Sequence, residues 1–362
     1  AYEMVNSDWS SDVCSSDLAE FRGPFSQATS FQPGEKSCDK IVINKEGDLM
    51  FVATDKYIFG YNLMKEICFR KYEGHQGIIT SIDVNDKSDL LLSVGADTNI
   101  YIHSVETGEV LIRFEAGKLW SCCCFAPKIN QIAVVSSKQM KQTPTLYIYH
   151  IKLSEKTLIP KYTYSFESGV NAIIWPNESS IIVGNEKGKL ILLSSQDKME
   201  FEKVREVEAH RGPINSITMS FDKKCFATAS ADTTASTWSL NLERRAIFPH
   251  SFLVSAAAIS PNGKHIVLAS SADKKSVAGT NFGSTDFTIN FFHMVFQEEF
   301  ASMKVHKSPV NDVKFTPDGM TLVTASQEGT FTIIRLGQDY DEMQKKHDKE
   351  LKALIKEINE KK

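Results

Sequence analysis

Histidine and carboxylate recur in this chain at a fixed separation. His210 is followed by Asp232 at +22 and by Trp238 at +28. His75 is followed by Asp97 and His103 at the same two steps, and His306 by Glu328 and Ile334. A His beside an acid invites a catalytic reading, with an imidazole oriented or activated by its carboxylate. A second invitation is Cys122–Cys124, three adjacent thiols that suggest a soft metal. The spacing argues against both. Pairs that share one ruler while the residues around them change belong to a structural repeat, and repeated pairs do not converge on one site. On a strand, neighbouring side chains point to opposite faces, so three cysteines in a row make a poor metal site and read as small buried thiols. The chain contains no G-x-x-x-x-G-K-[ST], no G-x-S-x-G and no H-E-x-x-H. No enzyme activity, cofactor or metal is expected.

Residues tied to one ruler need a scaffold that repeats with it. A period of about 40–45 residues with four short strands is the unit of a WD-repeat propeller. In such a unit His210 sits in the entry loop, Asp232 in the tight turn between the second and third strands, and Trp238 on the third strand. Hydrogen bonds among them would tie loop, turn and strand together, and Ser230, two residues before Asp232, reads as a fourth member. His75, Asp97, His210, Ser230, Asp232, Trp238, His306 and Glu328 are therefore expected to be blade fasteners. Between the markers of this repeat lie strand-like runs: Ile214, Ile217 and Met219, then Cys225, Phe226, Thr228 and Ser230.

Seven such units fit the chain. Repeat one, about 31–63, has Asp55 in the turn and Tyr61 in the tryptophan slot but no His. Repeat two is about 75–113. Repeat three starts near Ala116, sets Trp120, Cys123 and Phe125 where repeat five has Ile214, Ile217 and Met219, and ends on 146–150. Repeat four, about 166–195, uses Val170, Ile173 and Trp175. Repeat six opens at His250 and carries an insertion, 271–286, rich in Ser, Lys, Gly and Thr, which reads as a surface loop. Repeat seven, about 306–336, has no fourth strand of its own. Residues around Phe25–Phe31 are expected to supply it, because pairing the chain ends removes an open sheet edge.

The expected fold is all-β, a seven-bladed WD-repeat β-propeller over 24–338 with a C-terminal α-helix over 339–362. In that tail Met343, His347, Leu351, Leu354, Ile355 and Ile358 share one helical face. The face could rest on the propeller or on a partner. Residues 1–23 include DWSSDVCSSDL, which has no apolar period and no cap. They read as a non-native, adapter-like segment.

Of 362 residues, 42% are hydrophobic and 24% charged, as in ordinary soluble domains. The net charge of −4, with no Lys/Arg cluster, gives no basic face, so direct nucleic-acid binding is not expected. No apolar run reaches the length of a membrane span. Seven cysteines without a C-x-x-C pair or secretory signal point to a reducing compartment, the cytosol or nucleus, and a cytoplasmic location is expected.

Blocks within the repeats, above all six, seven and two, carry a family resemblance. They are VSAAAISPNGKHIVLAS (254–270), INFFHMVFQEEFASMKVHKSPVNDVKFTPDGMTLVTASQEGTFTIIRL (289–336), NKEGDLMFVATDK (44–56), YEGHQGIITSIDV (72–84) and KQMKQTPTLYIYHI (138–151). In their order along the chain they resemble subunit i of eukaryotic translation initiation factor 3, over about 38–340. FFHMVFQEEF is the most specific block, since no blade requires it. The chain departs from the family in lacking a Gly-His in repeat one and in having Ala269-Ser270-Ser271 where a Gly-rich turn is usual.

The resemblance implies a non-catalytic scaffold in the initiation factor 3 complex, acting in 40S-associated initiation and scanning. It implies binding to a C-terminal helix of the b subunit and a segment of the g subunit, with the 40S ribosome reached indirectly. In the family, acidic residues around repeat five face the b-subunit helix. Asp222, in the solvent-facing turn after the inner strand, matches one of them, and Ser239 occupies the position of the other. The competing reading is a WD-repeat adaptor in signalling, of the kinase-receptor-associated kind, or a ubiquitin-ligase substrate receptor. Those propellers lack the FFHMVFQEEF-type block.

Overall fold

The computed structural model describes residues 25–34, 36–139, 142–196, 200–271 and 287–360. The 1–23 segment and nearly all of the 271–286 insertion lie outside them. Seven four-stranded antiparallel sheets form the blades of a propeller. Blade five shows the plan: Ile214–Met219 innermost, then Cys225–Ser230, Thr234–Ser239 and Arg244–Pro249. Each blade is sandwiched between two others, so its second strand is buried on both faces. Leu90–Gly95, Cys225–Ser230 and Thr321–Ser326 are buried throughout. That is why these strands read as continuous runs of apolar and small residues rather than as alternation.

The cysteine run shows the two-sidedness directly. Cys122 and Cys124 join the apolar cluster shared with blade four, while Cys123 joins the cluster shared with blade two. Burial pushes the Cys122 thiol up to about 12 and its two neighbours well above their ordinary value. Thiols on opposite faces of one strand, divided between two clusters, pack as small apolar side chains.

The ring closes through both chain ends. Phe25–Phe31 pairs antiparallel with Phe331–Leu336 as the outer strand of blade seven, and Phe31 stacks on Phe331 at 5.1 Å. Inside the ring, Asp312 Oδ2 accepts the Ile41 N–H at 3.1 Å, joining blade seven to blade one.

A polar belt joins blade to blade. Thr80 Oγ1 donates to Trp120 O at 3.0 Å, Asn171 Nδ2 to Ile214 O at 3.1 Å and Asn215 Nδ2 to Val254 O at 2.8 Å. Ser255 Oγ donates to Val310 O, and Asn311 Nδ2 to Cys38 O at 2.9 Å. Thr80, Asn171, Asn215 and Asn311 are the second residues of their inner strands and Ser255 the third of its own, and each reaches the first strand of the next blade. A short polar side chain there satisfies a backbone carbonyl where two sheets converge.

The C-terminal helix spans Gln338–Glu360 and turns back onto blade six. Tyr340 is fully buried there, and Lys264 Nζ pairs with Asp348 Oδ2 at 2.6 Å. Of the two arrangements open to the tail, its first half adopts the one against its own propeller. The side chains of Leu354, Ile355 and Ile358 lie outside the described residues. No described helix is long and apolar enough to cross a membrane.

Candidate functional site

Among the described residues the three His–acid pairs each close within their own blade, in blades two, five and seven. In blade five, His210 Nδ1–H donates to Asp232 at 3.1 Å, since a carboxylate can only accept. Its Nε2 then accepts the Thr228 hydroxyl at 2.7 Å, and Thr228 Oγ1 accepts from Trp238 Nε1–H at 2.9 Å. Asp232 also takes the Arg211 N–H at 2.8 Å and the Thr234 hydroxyl at 2.7 Å. One chain of donors thus joins entry loop, second strand, turn and third strand.

The hydroxyl in this relay is Thr228, not Ser230. Ser230 Oγ donates to Pro213 O at 2.9 Å and accepts the Asp232 N–H at 3.1 Å, so it pins the turn to the entry-loop backbone instead. The reason is register. Thr228 stands opposite Ile217 and Ser230 opposite Ile214, so Thr228 lies one strand pair deeper, where Trp238 reaches it. The signal was a hydroxyl at +18 from each His: Ser93, Thr228 and Thr324.

The other two relays vary at the third strand. His75 meets Asp97 at 2.9 Å and Ser93 at 3.0 Å. His103 does not reach Ser93. It donates from Nε2 to Glu73 O at 3.0 Å and stacks on Tyr101. His306 meets Glu328 at 3.3 Å and Thr324 at 2.8 Å, with apolar Ile334 in the tryptophan slot.

At His75 and His210 the electrostatics favour the neutral imidazole. Burial lowers His75 and His210 below the usual histidine value. Burial raises the Asp232 carboxyl, but donors from Thr234 and Arg211 outweigh it and hold it low. The His306 hydrogen bond brings Glu328 down to about 2. The three His side chains are only 1–2% exposed. Each of the three imidazoles is enclosed within its own blade.

The opposite end of blade five is open. Antiparallel strands put the entry loop and the second-to-third turn at one end, and the first-to-second and third-to-fourth turns at the other. Asp222 lies in the 220–224 turn and Ser239 begins the next, both at that second end. Ser239 Oγ accepts the Glu243 N–H at 3.1 Å. Asp222 Oδ1 accepts from Ser220 Oγ at 2.6 Å and from Lys224 N at 3.1 Å, and the Ser220 bond lowers its pKa. Blades six and seven repeat this turn with Asn262 and Asp318, which accept from Ser260 and Lys264 N and from Thr316 and Met320 N. One oxygen of Asp222 therefore holds the turn, a role the solvent-facing reading omitted. The other oxygen faces Lys224 Nζ at 3.9 Å, and Phe221 beside it is 43% exposed. An anion and an aromatic ring together offer a surface for a basic, partly apolar segment.

Seven four-stranded blades, His–acid relays and a strand borrowed from the N-terminal side define a WD-repeat β-propeller. The model of the WD domain, G-beta repeat, matches residues 66–104, 201–239 and 297–334. The β-propeller domain of Myceliophteria thermophila Cps50 (Swd1) superposes with a TM-score of 0.70 over 85% of this chain and 99% of its own, at 14% identity, which speaks to fold alone. Eukaryotic translation initiation factor 3 subunit I of Drosophila willistoni is 31% identical over 321 residues, 86% of this chain and 98% of its own length. The same subunit of Nematostella vectensis is 30% identical, over 86% and 96%. The chain belongs to the eukaryotic translation initiation factor 3 subunit I family.

Proposed function

We propose that this chain is a non-catalytic scaffold subunit of eukaryotic translation initiation factor 3 in the cytoplasm. On this reading the open end of blades five and six, with Asp222 and Ser239, receives a basic and aromatic helix from the C-terminus of the b subunit. A segment of the g subunit is the second partner, and the 40S ribosome is reached through the assembled complex. The observation that carries the reading is family membership over nearly the whole length of the relatives. The Asp222 oxygen that the turn does not use and the exposed Phe221 at one blade end support the site.

The test is calorimetric titration of the purified chain with a peptide from the C-terminal end of the b subunit. Asp222→Asn keeps the turn acceptor, as Asn262 does in blade six, and removes only the charge. An exposed pair is worth about 0.2–1 kcal/mol, so affinity should fall up to about fivefold at low salt and less at high salt. Asp222→Lys should weaken binding further, by setting like charge against the partner. Unchanged affinity of Asp222→Asn at low salt removes this site and leaves fold and family untouched.

A further inference from the structure

Three imidazoles fasten the C-terminal helix to blade six. His265 opens the second strand (His265–Ser271), His293 ends the third (Ile289–His293), and His347 comes from the helix. His265 Nε2 lies 3.3 Å from His347 Nδ1, and His265 Nδ1 lies 2.8 Å from the Tyr340 hydroxyl. The His347 ring sits 4.9 Å from His293 and 5.1 Å from Phe300. One ring nitrogen from each histidine falls within 4.8 Å of the others, and His265 and His293 are buried.

Such a cluster could hold a metal ion or stay neutral as a docking surface. His293 decides between them. Its Nδ1 accepts from the N–H groups of Val295 and Phe296 at 3.2 and 3.1 Å. This is the role Ser239 Oγ plays at the same place in blade five. A neutral His293 therefore carries its proton on Nε2, and that nitrogen has no lone pair for a metal. Metal-bound histidines show the reverse polarity, with the second nitrogen donating. His265 and His347, by contrast, face each other across one shared proton. That contact exists only while at least one of the facing nitrogens is unprotonated.

We propose that the His265–His293–His347 cluster is an acid-sensitive latch that releases the C-terminal helix from blade six. Protonating both members of the His265–His347 pair sets two N–H groups head to head and puts two positive charges where little water can reach. Lys264 and Lys346 add to that repulsion, Asp348, Glu350 and Glu298 oppose it, and the Tyr340 hydroxyl is neutral. The Lys264–Asp348 pair keeps both charges at mild acidity, so it does not supply the response.

Burial lowers all three histidines, His265 to about 3. Release lets water reach them and returns them toward the ordinary value near 6.5. Docking is therefore full above about pH 6.5 and is lost as pH falls below it. Each histidine that takes up a proton on release weakens docking about tenfold per pH unit in that range. With two of them, docking weakens up to about a hundredfold between pH 7.5 and 5.5.

The experiment is hydrogen exchange on the full chain at both pH values, corrected for intrinsic rate. Amides of 343–351 should lose up to about a hundredfold protection at pH 5.5, while amides of 181–193 in blade four, whose junction holds no histidine, keep theirs. His347→Phe retains a ring against Phe300 and removes one titrating group, so its loss should shrink to about tenfold. Magnetic-resonance titration of the His347 ring should give a midpoint below 6.5. Equal protection at both pH values, simultaneous loss in blade four, an unaltered response in His347→Phe, or a midpoint at or above 6.5 overturns the latch. Calorimetry with zinc chloride at pH 7.5 should show no site. A stoichiometric zinc site that disappears in His293→Ala makes the cluster a metal centre and equally overturns it.

Discussion

Blades four and five are neighbours built on one plan and fastened by different chemistry. In blade five the junction of entry loop and sheet holds His210, Thr228, Asp232 and Trp238 in one relay. Strand register places Phe166, Val183, Lys187 and Leu193 at the corresponding points of blade four. Phe166, Val183 and Leu193 belong to one apolar cluster with Phe201, and Phe166 meets the Tyr164 ring at 5.1 Å. The repeat thus preserves a backbone shape, and either a satisfied polar network or a packed ring can fill it. The polar solution fixes geometry only if every member is paired, whereas the apolar one needs only volume.

The largest test is to empty each junction. Phe166→Ala should cost about 3–5 kcal/mol, as expected for a buried aromatic ring. Asp232→Ala should cost about 1–3 kcal/mol, by leaving His210 Nδ1–H and Arg211 N–H without their acceptor. Urea unfolding of both variants gives the order. If Asp232→Ala proves the costlier, the relay carries more than its hydrogen bonds and the two fastenings are not equivalent. If it melts like wild type yet abolishes partner binding, Asp232 is a contact residue and not a fastener.

The two chemistries should also respond differently to acid. His75 and His210 are held below their unfolded value, so the unfolded chain takes up protons first as pH drops. Their stabilisation is complete above about pH 6.5 and falls by about 1.4 kcal/mol per histidine per pH unit below it. The Phe166 junction contributes nothing to this slope. Placing blade four's residues in blade five (His210→Phe, Thr228→Val, Asp232→Lys, Trp238→Leu) should reduce the loss between pH 7.5 and 5.5 by one histidine's share. An unchanged slope shows that His210 already titrates normally in the folded chain.

This contrast also explains what could be read from the sequence. The relay blades announce themselves because their spacing is kept to the residue. Blade four escapes the ruler because its first turn is one residue shorter, so +22 from Phe166 falls on Gly188 and not on Lys187. The closing strand was legible because blade seven ends without an outer strand. Thr228 was passed over because two hydroxyls on one face of a strand look alike until register separates them. The polar belt through Thr80, Asn171, Asn215, Ser255 and Asn311 went unread because a lone Asn or Ser in an apolar strand signals nothing until the next blade's carbonyl faces it. The His265–His293–His347 cluster joins residues 28 and 54 positions apart, which no local pattern can bring together.

The smallest predicted effect lies in the turn of blade four itself. Glu186 accepts from Lys138 Nζ at 2.5 Å, and the two side chains are 36% and 54% exposed. Lys138 holds the Glu186 carboxyl below its usual range, yet the turn does not hang on that charge. Glu186 N–H already donates to Gly169 O at 2.8 Å, and Asn185 Oδ1 accepts from Lys187 N and Lys189 N at 3.0 and 2.8 Å. Solvent screens an exposed pair and side-chain entropy opposes it, so Glu186→Gln should cost no more than about 1 kcal/mol. The cost should fall further at high salt, because the screening length shrinks to about 3 Å at 1 M. Urea midpoints at two salt concentrations measure both. A salt-independent cost above about 2 kcal/mol means that a carboxylate fastens this turn as Asp232 fastens its own, and the division between polar and apolar blades collapses.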